Sequence, residues 1–277
     1  MFINHIKTAV LLATISGIFL GFGYLFGGTT GLTIGLIISV GINFVSYWFS
    51  DKMVLKIYKA QPLKRVDYPK VYEMLQELSQ RYNIKPKYYT IPDNNPNAFA
   101  TGRSKRHCAI AFTRGLLELM TLDEVKGVAA HEFAHIKNND ILISSIVAMI
   151  ATAISYLAFF ARFAAIFGGG DEDGGNGMEL LVLSLLAPFL AFIIQATISR
   201  AREYIADATA ARTLKTAEPL ALALGKLQHN HTEMHLGNNR SAHLFIKNPF
   251  RARGFLNLLN THPPLEERIA KLRSMTI

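Results

Sequence analysis

The chain of 277 residues is 50% hydrophobic, with its apolar residues gathered in blocks, and carries a formal net charge of +9. A single cysteine, Cys108, excludes an intrachain disulfide and suits a reducing compartment. The positive charge comes with no RNP, zinc-finger or helix-turn-helix pattern, so nucleic acid is not an expected partner; Lys and Arg beside anionic lipid headgroups explain it more simply.

Two apolar blocks open the chain. Ile6 to Phe26 holds one charge, Lys7, and Leu32 to Phe49 holds none, so each can cross a ~30 Å hydrocarbon core as a helix. Gly27-Gly28-Thr29-Thr30-Gly31 between them is predicted to form a hairpin turn. Residues 1–50 are thus read as a pair of transmembrane helices, followed by Lys52, Lys56, Lys59, Lys64 and Arg65.

Residues 51–140 have the makings of a small α+β part. Val71, Leu75 and Leu78 recur at helical spacing within Tyr68 to Tyr82. Lys87 to Ile91 and His107 to Phe112 read as short strands, separated by the turn-rich Pro92 to Pro96 and the basic Arg103 to Arg106. Thr121-Leu122-Asp123-Glu124 is a capping segment, after which Val125, Val128, Ala129, Phe133 and Ile136 keep helical period.

That last helix carries His131-Glu132-Phe133-Ala134-His135. Residues four apart share a helix face, so both imidazoles can reach one Zn²⁺, and Glu132 stands beside them to take a proton from water. A coincidental pair of surface histidines is the bland alternative.

A third apolar block, Ile141 to Phe167, contains only Arg162 as a charge, and a fourth, Met178 to Ile198, only Glu179 at its start. Gly168 to Gly177, with Asp171-Glu172-Asp173, links them as an exterior loop. Residues 141–198 either span the membrane twice or form a helical hairpin that dips into it. Lys and Arg mark the cytoplasmic side, which puts both termini and the charged remainder there. Residues 199–277 then supply a helix from Ser199 to Leu214, another over Ala217 to Leu227, and an irregular His- and Asn-rich region running to Thr261-His262-Pro263-Pro264.

A hydrolytic zinc needs a third protein ligand. The metzincin spacing fails, because Asn138 and Ile141 occupy the required positions. A carboxylate on a later helix is the second option, and the first one after the chain returns to the cytoplasm is Glu203, with Asp207 one turn on to orient a ligating imidazole. A solvated face balanced by Arg200 and Arg202 is its alternative. The third option is the cluster of His229, His231 and His235, whose surroundings look loop-like.

With HEFAH, Ser199 to Asp207 (SRAREYIAD) and Thr261 to Pro264 (THPP) in order, the chain resembles the HtpX family of bacterial membrane zinc metalloproteases, related to the CAAX prenyl proteases. The resemblance implies a multi-span α-helical membrane protein with a cytoplasmic α+β zincin-like protease domain of the HExxH…E (gluzincin) type. It also implies one Zn²⁺ held by His131, His135 and Glu203, with Glu132 as base. Asn97, Ala98, Phe99 and Ala100 match a family stretch whose strand edge pairs with the substrate backbone, and His262 resembles a transition-state donor. The expected activity is endoproteolysis of misfolded or damaged membrane proteins at the cytoplasmic face of a bacterial inner membrane. A dedicated CAAX-type processing peptidase and a non-catalytic zinc-bearing scaffold or holdase are the rival readings.

Overall fold

The computed structural model describes residues 51–140, 200–229 and 263–277 without a break, together with 20, 23–24, 27–38, 41, 48, 154, 158, 182 and 186. Most of the four hydrophobic blocks, the 168–177 loop, and His231, His235 and His262 lie outside the described residues. Among the described residues no helix is long and apolar enough to cross a membrane. The chain divides into two compact units, Met1–Tyr47 with Ile143–Ile198 and Trp48–Leu142 with Ser199–Ile277.

In the first unit, the turn expected over Gly27 to Gly31 is narrower than its glycines suggested, since residues 27–38 are helical. Gly28 has a φ of 56°, and the backbones of Gly23 and Gly31 are in contact, so close that a Cβ on either would collide. Two residues eight apart can touch in this way only if the chain reverses between them.

The second unit is built on a four-stranded sheet. Its elements are α1 (51–57), β1 (Gln61–Pro62), α2 (Pro69–Tyr82), β2 (Lys87–Ile91), β3 (Ala98–Ser104), β4 (His107–Thr113), α3 (Arg114–Leu119) and α4 (Leu122–Asn138), then α5 (200–214), α6 (Glu218–His229) and α7 (Leu265–Arg273). Strand order is β1-β2-β4-β3, with β2 and β4 parallel and β3 antiparallel at the edge. Helix α2 starts with Pro69, whose fixed φ suits the first turn, and stops at Asn83 in the left-handed region.

Side chains alternate across the sheet. Tyr88, Ala98, Ala100, Cys108, Ile110 and Phe112 face the main core with Leu75, Leu78 and Phe133 from α2 and α4. Phe99, Ala111 and Ile91 face the other way and are covered by Tyr58, Val54 and Leu55. A buried Phe or Leu of this kind contributes about 1.5–3 kcal/mol. Helix α4 therefore lies with α2 and the sheet on one side and α6 on the other, and the α6 approach depends on Gly127, where a Cβ would collide with the backbone of Pro219 and Leu220. Helix α6 extends to His229, which the sequence placed in a loop, and α1, α3 and α7 were not foreseen.

Candidate metal centre

The motif helix is fixed at its start by reciprocal capping. Thr121 N–H donates to Glu124 Oε2 at 2.7 Å, and Glu124 N–H donates to Thr121 Oγ1 at 3.4 Å. Glu124 also accepts from Lys226 Nζ of α6 at 2.7 Å. Further along, the Tyr82 hydroxyl donates to the Ala130 carbonyl at 2.9 Å while its ring stacks on Phe133.

Helix α5 turns Glu203, Ala206, Asp207 and Ala210 inward, and all four are buried. A solvated carboxylate face is excluded by that burial. The alanines let α5 come close enough for both carboxylates to reach the histidines: His131 Nε2 lies 3.5 Å from Glu203 Oε2, and His135 Nε2 lies 3.5 Å from Glu203 Oε1. The two Nε2 atoms are themselves 3.0 Å apart.

These separations suit a bound cation. Ligands about 2.0–2.1 Å from a tetrahedral ion are spaced about 3.3–3.4 Å from one another, close to the three edges found. The other ring nitrogens are occupied: His131 Nδ1 is 2.9 Å from Asp207 Oδ1, and His135 Nδ1 is 3.0 Å from Asp140 Oδ2. A carboxylate only accepts, so each Nδ1 carries the hydrogen and each Nε2 turns its lone pair toward the other. Two lone pairs facing at 3.0 Å require a positive charge between them. His131, His135 and Glu203 offer ligand atoms that all lie within 4.8 Å of one another, and no other such group exists among the described residues.

The electrostatics agree. Burial opposes the His135 imidazolium, yet Asp140 and Glu203 outweigh it and hold its pKa well above the ordinary value. His131 is raised too, with Asp207 and Glu203 overcoming burial and the neighbouring His135. The pocket thus demands cationic charge, which protons or a metal can provide. Glu132, almost fully buried beside the pair, is raised by desolvation against the pull of both histidines. A carboxylate made more basic in this way is better suited to taking a proton.

Two participants escaped the sequence reading. Asp140 sits one turn beyond His135 and orients it. Arg268 is fully buried, donates to Asp207 through Nε at 2.9 Å and Nη2 at 2.7 Å, and pairs with Glu203 through Nη1 at 2.9 Å. Burial works against its charge, but Asp207 and Glu203 raise its pKa further, and it in turn holds Asp207 below the usual carboxylate range despite burial. A signal for it existed: Leu265, Arg268, Ile269 and Leu272 form one helical stripe, so Arg268 is a charge on an apolar face.

Asn97, Ala98, Phe99 and Ala100 lie at and just before the start of the edge strand β3, with their side chains buried. Asn97 N–H donates to Thr113 Oγ1 and the Asn97 carbonyl accepts from Thr113 N–H, which ties the strand start to β4. His229 closes α6, at the far end of that helix from the Pro219–Leu220 contact with the motif helix.

Residues 67–276 match the model of "Peptidase family M48". Over 280 residues the chain is 47% identical to "Protease HtpX homolog" of Syntrophobacter fumaroxidans, covering 98% of this chain and 99% of that one. The "Protease HtpX homolog" of Thermococcus kodakarensis is 44% identical over 276 residues, covering 98% and 95%. Among solved structures, "Crystal Structure of S. mikatae Ste24p" matches with a TM-score of 0.60 at 21% identity, over 98% of this chain and 66% of that one, a likeness of fold alone. With a cation-demanding triad flanked by a buried carboxylate, and with identity at this level over nearly its whole length, the chain belongs to peptidase family M48 and is a metalloprotease.

Proposed function

We propose that this metalloprotease is a zinc-dependent endopeptidase that cuts misfolded or damaged membrane proteins at the cytoplasmic face of a bacterial inner membrane, to which its four apolar blocks anchor it. The observation that carries the chemistry is the trio of ligand atoms from His131, His135 and Glu203 beside the buried Glu132. Two imidazole nitrogens and one carboxylate oxygen form the donor set of zinc hydrolases, whereas Ca²⁺ and Mg²⁺ favour oxygen ligands throughout.

When bound, the metal supplies a Lewis acid that lowers the pKa of water at its open position and polarises the scissile carbonyl. The protein does the rest. Glu132 accepts the proton of the attacking water and returns it to the leaving amine. Asp207 and Asp140 hold the two imidazoles with Nε2 facing the metal position. Arg268 offsets the charge of Glu203 and Asp207 and sets the Glu203 carboxylate in place. His262, six residues before Arg268, is the proposed donor to the oxyanion.

Substrate selection falls to the β3 edge. As the edge strand of the sheet, β3 would take substrate by main-chain pairing, which accepts many sequences. This favours a degradative enzyme over a processing one. A CAAX-type processing peptidase is the rival reading, and one assay separates the two. The purified chain with Zn²⁺ should cleave casein and unrelated unfolded polypeptides, and Glu132→Ala should not; cleavage confined to a prenylated C-terminal peptide would establish the processing reading instead.

A further inference from the structure

Helix α1 has two unlike faces. Val54 and Leu55, with Tyr58 just beyond, pack beside Phe99, Ala111 and Tyr89, which leaves Lys52, Met53, Lys56 and Ile57 outside. Met53 and Ile57 are 53% and 45% exposed. Residues four apart share a side of a helix, so an apolar pair and a basic pair run along the outer surface. Such a face suits a helix lying at a bilayer surface. Trp48, 44% exposed, stands just before α1 where the second apolar block ends, and tryptophan settles at headgroup depth.

The end of β3 reaches the same place. The Arg103 guanidinium lies 4.4 Å from the centroid of the Trp48 ring, and its Nη1 donates to the Trp48 carbonyl at 3.2 Å. Lys105 and Arg106 follow at the tip, and from Asn94 to Leu117 the chain has four basic residues and no acidic one. Whatever depth Trp48 takes, this cationic tip must share.

We infer that the end of β3 and the β3–β4 turn, through Arg103, Lys105 and Arg106, bind anionic lipid headgroups together with the outer face of α1, and so hold the edge strand β3 against the membrane surface. The inference rests on the membrane reading above and sharpens it. Strand β3 has seven residues and extends about 20 Å from its tip, so the substrate it receives is a segment within about that distance of the bilayer. Selectivity for membrane proteins then comes from position rather than from sequence. Each basic residue close to an anionic surface strengthens association roughly fivefold, and salt weakens it.

The test uses the full chain in lipid nanodiscs of phosphatidylcholine with or without phosphatidylglycerol. A His107→Cys variant in a Cys108→Ser background carries an environment-sensitive fluorophore at the tip. Phosphatidylglycerol should shift its emission to the blue, brominated phosphatidylglycerol should quench it, and added salt should reverse both. Lys105→Glu with Arg106→Glu should abolish the response while leaving casein cleavage in detergent unchanged. Emission indifferent to phosphatidylglycerol, a response that survives the double reversal, or a response to an oligonucleotide in detergent with none to the lipid would each overturn the inference. If the chain fails to co-purify with the discs at all, the membrane reading itself falls.

Discussion

Arg268 grips Asp207 with two parallel hydrogen bonds, at 2.9 and 2.7 Å, inside a core where both side chains are buried. Asp207 in turn faces His131 Nδ1 at 2.9 Å, so the guanidinium acts on the metal position through one carboxylate and on Glu203 directly. Arg268→Ala leaves two buried carboxylates without their counter-charge, and removal of one partner of a buried pair costs roughly 3–5 kcal/mol. Pairing it with Asp207→Asn should recover part of that loss. Denaturant unfolding of the two variants in detergent measures the difference; equal stability of Arg268→Ala and the parent would show that the pair is not an energetic unit.

Glu132→Gln keeps the shape of the side chain and removes its basicity. Metal content should stay at the parent level while peptide hydrolysis falls about 10²–10⁴-fold. Elemental analysis and a casein assay on the same preparation check both halves.

Glu203→Ala leaves two imidazoles, so metal and activity should fall together. Asp207→Ala and Asp140→Ala disturb only imidazole orientation, and each should weaken metal affinity about 10–100-fold. His231→Ala and His235→Ala should leave metal content unchanged. Zinc per chain across the five variants decides between the two ligand sets, because full occupancy in Glu203→Ala would return the role to the histidine cluster.

Glu124 provides a pH test away from the metal. Burial opposes its ionisation, but Lys226 and the Thr121 bonds overcome this and its pKa lies below the ordinary value. A carboxyl lowered on folding stabilises the fold above its unfolded pKa, and that contribution disappears as pH falls through the folded pKa. Glu124→Gln should therefore cost about 0.5–2 kcal/mol at neutral pH, and the gap should close in acid. A gap that is constant or widens on acidification would contradict the assignment.

What the sequence revealed was mostly local. Helix α2 and strand β2 end where periodicity and turn residues placed them, because Pro69, Asn83 and the Pro92 turn act within a few residues. Strand β3 was harder to see. Its Ala-Phe-Ala-Thr-Gly-Arg-Ser run has little β preference, and it is a strand through its pairing with β4, from Ala98 opposite Phe112 to Ser104 opposite His107. Helix α7 was hidden by its five charged residues among nine. At the site, the HExxH spacing and the Glu203/Asp207 pair were legible as helix-face patterns, whereas Asp140 and Arg268 acquire meaning only from contacts across the fold.

The order in which the site's members occur along the chain has its own consequence. Both histidines precede residues 141–198, Glu203 and Asp207 follow them, and Arg268 comes 61 residues after the carboxylate it grips. A ribosome releases these parts in that sequence. The growing polypeptide thus carries histidines without their third neighbour, then carboxylates without their guanidinium, and the charge-balanced centre exists only once α7 has been made. Hydrolytic competence is in this sense a late event in the life of each molecule.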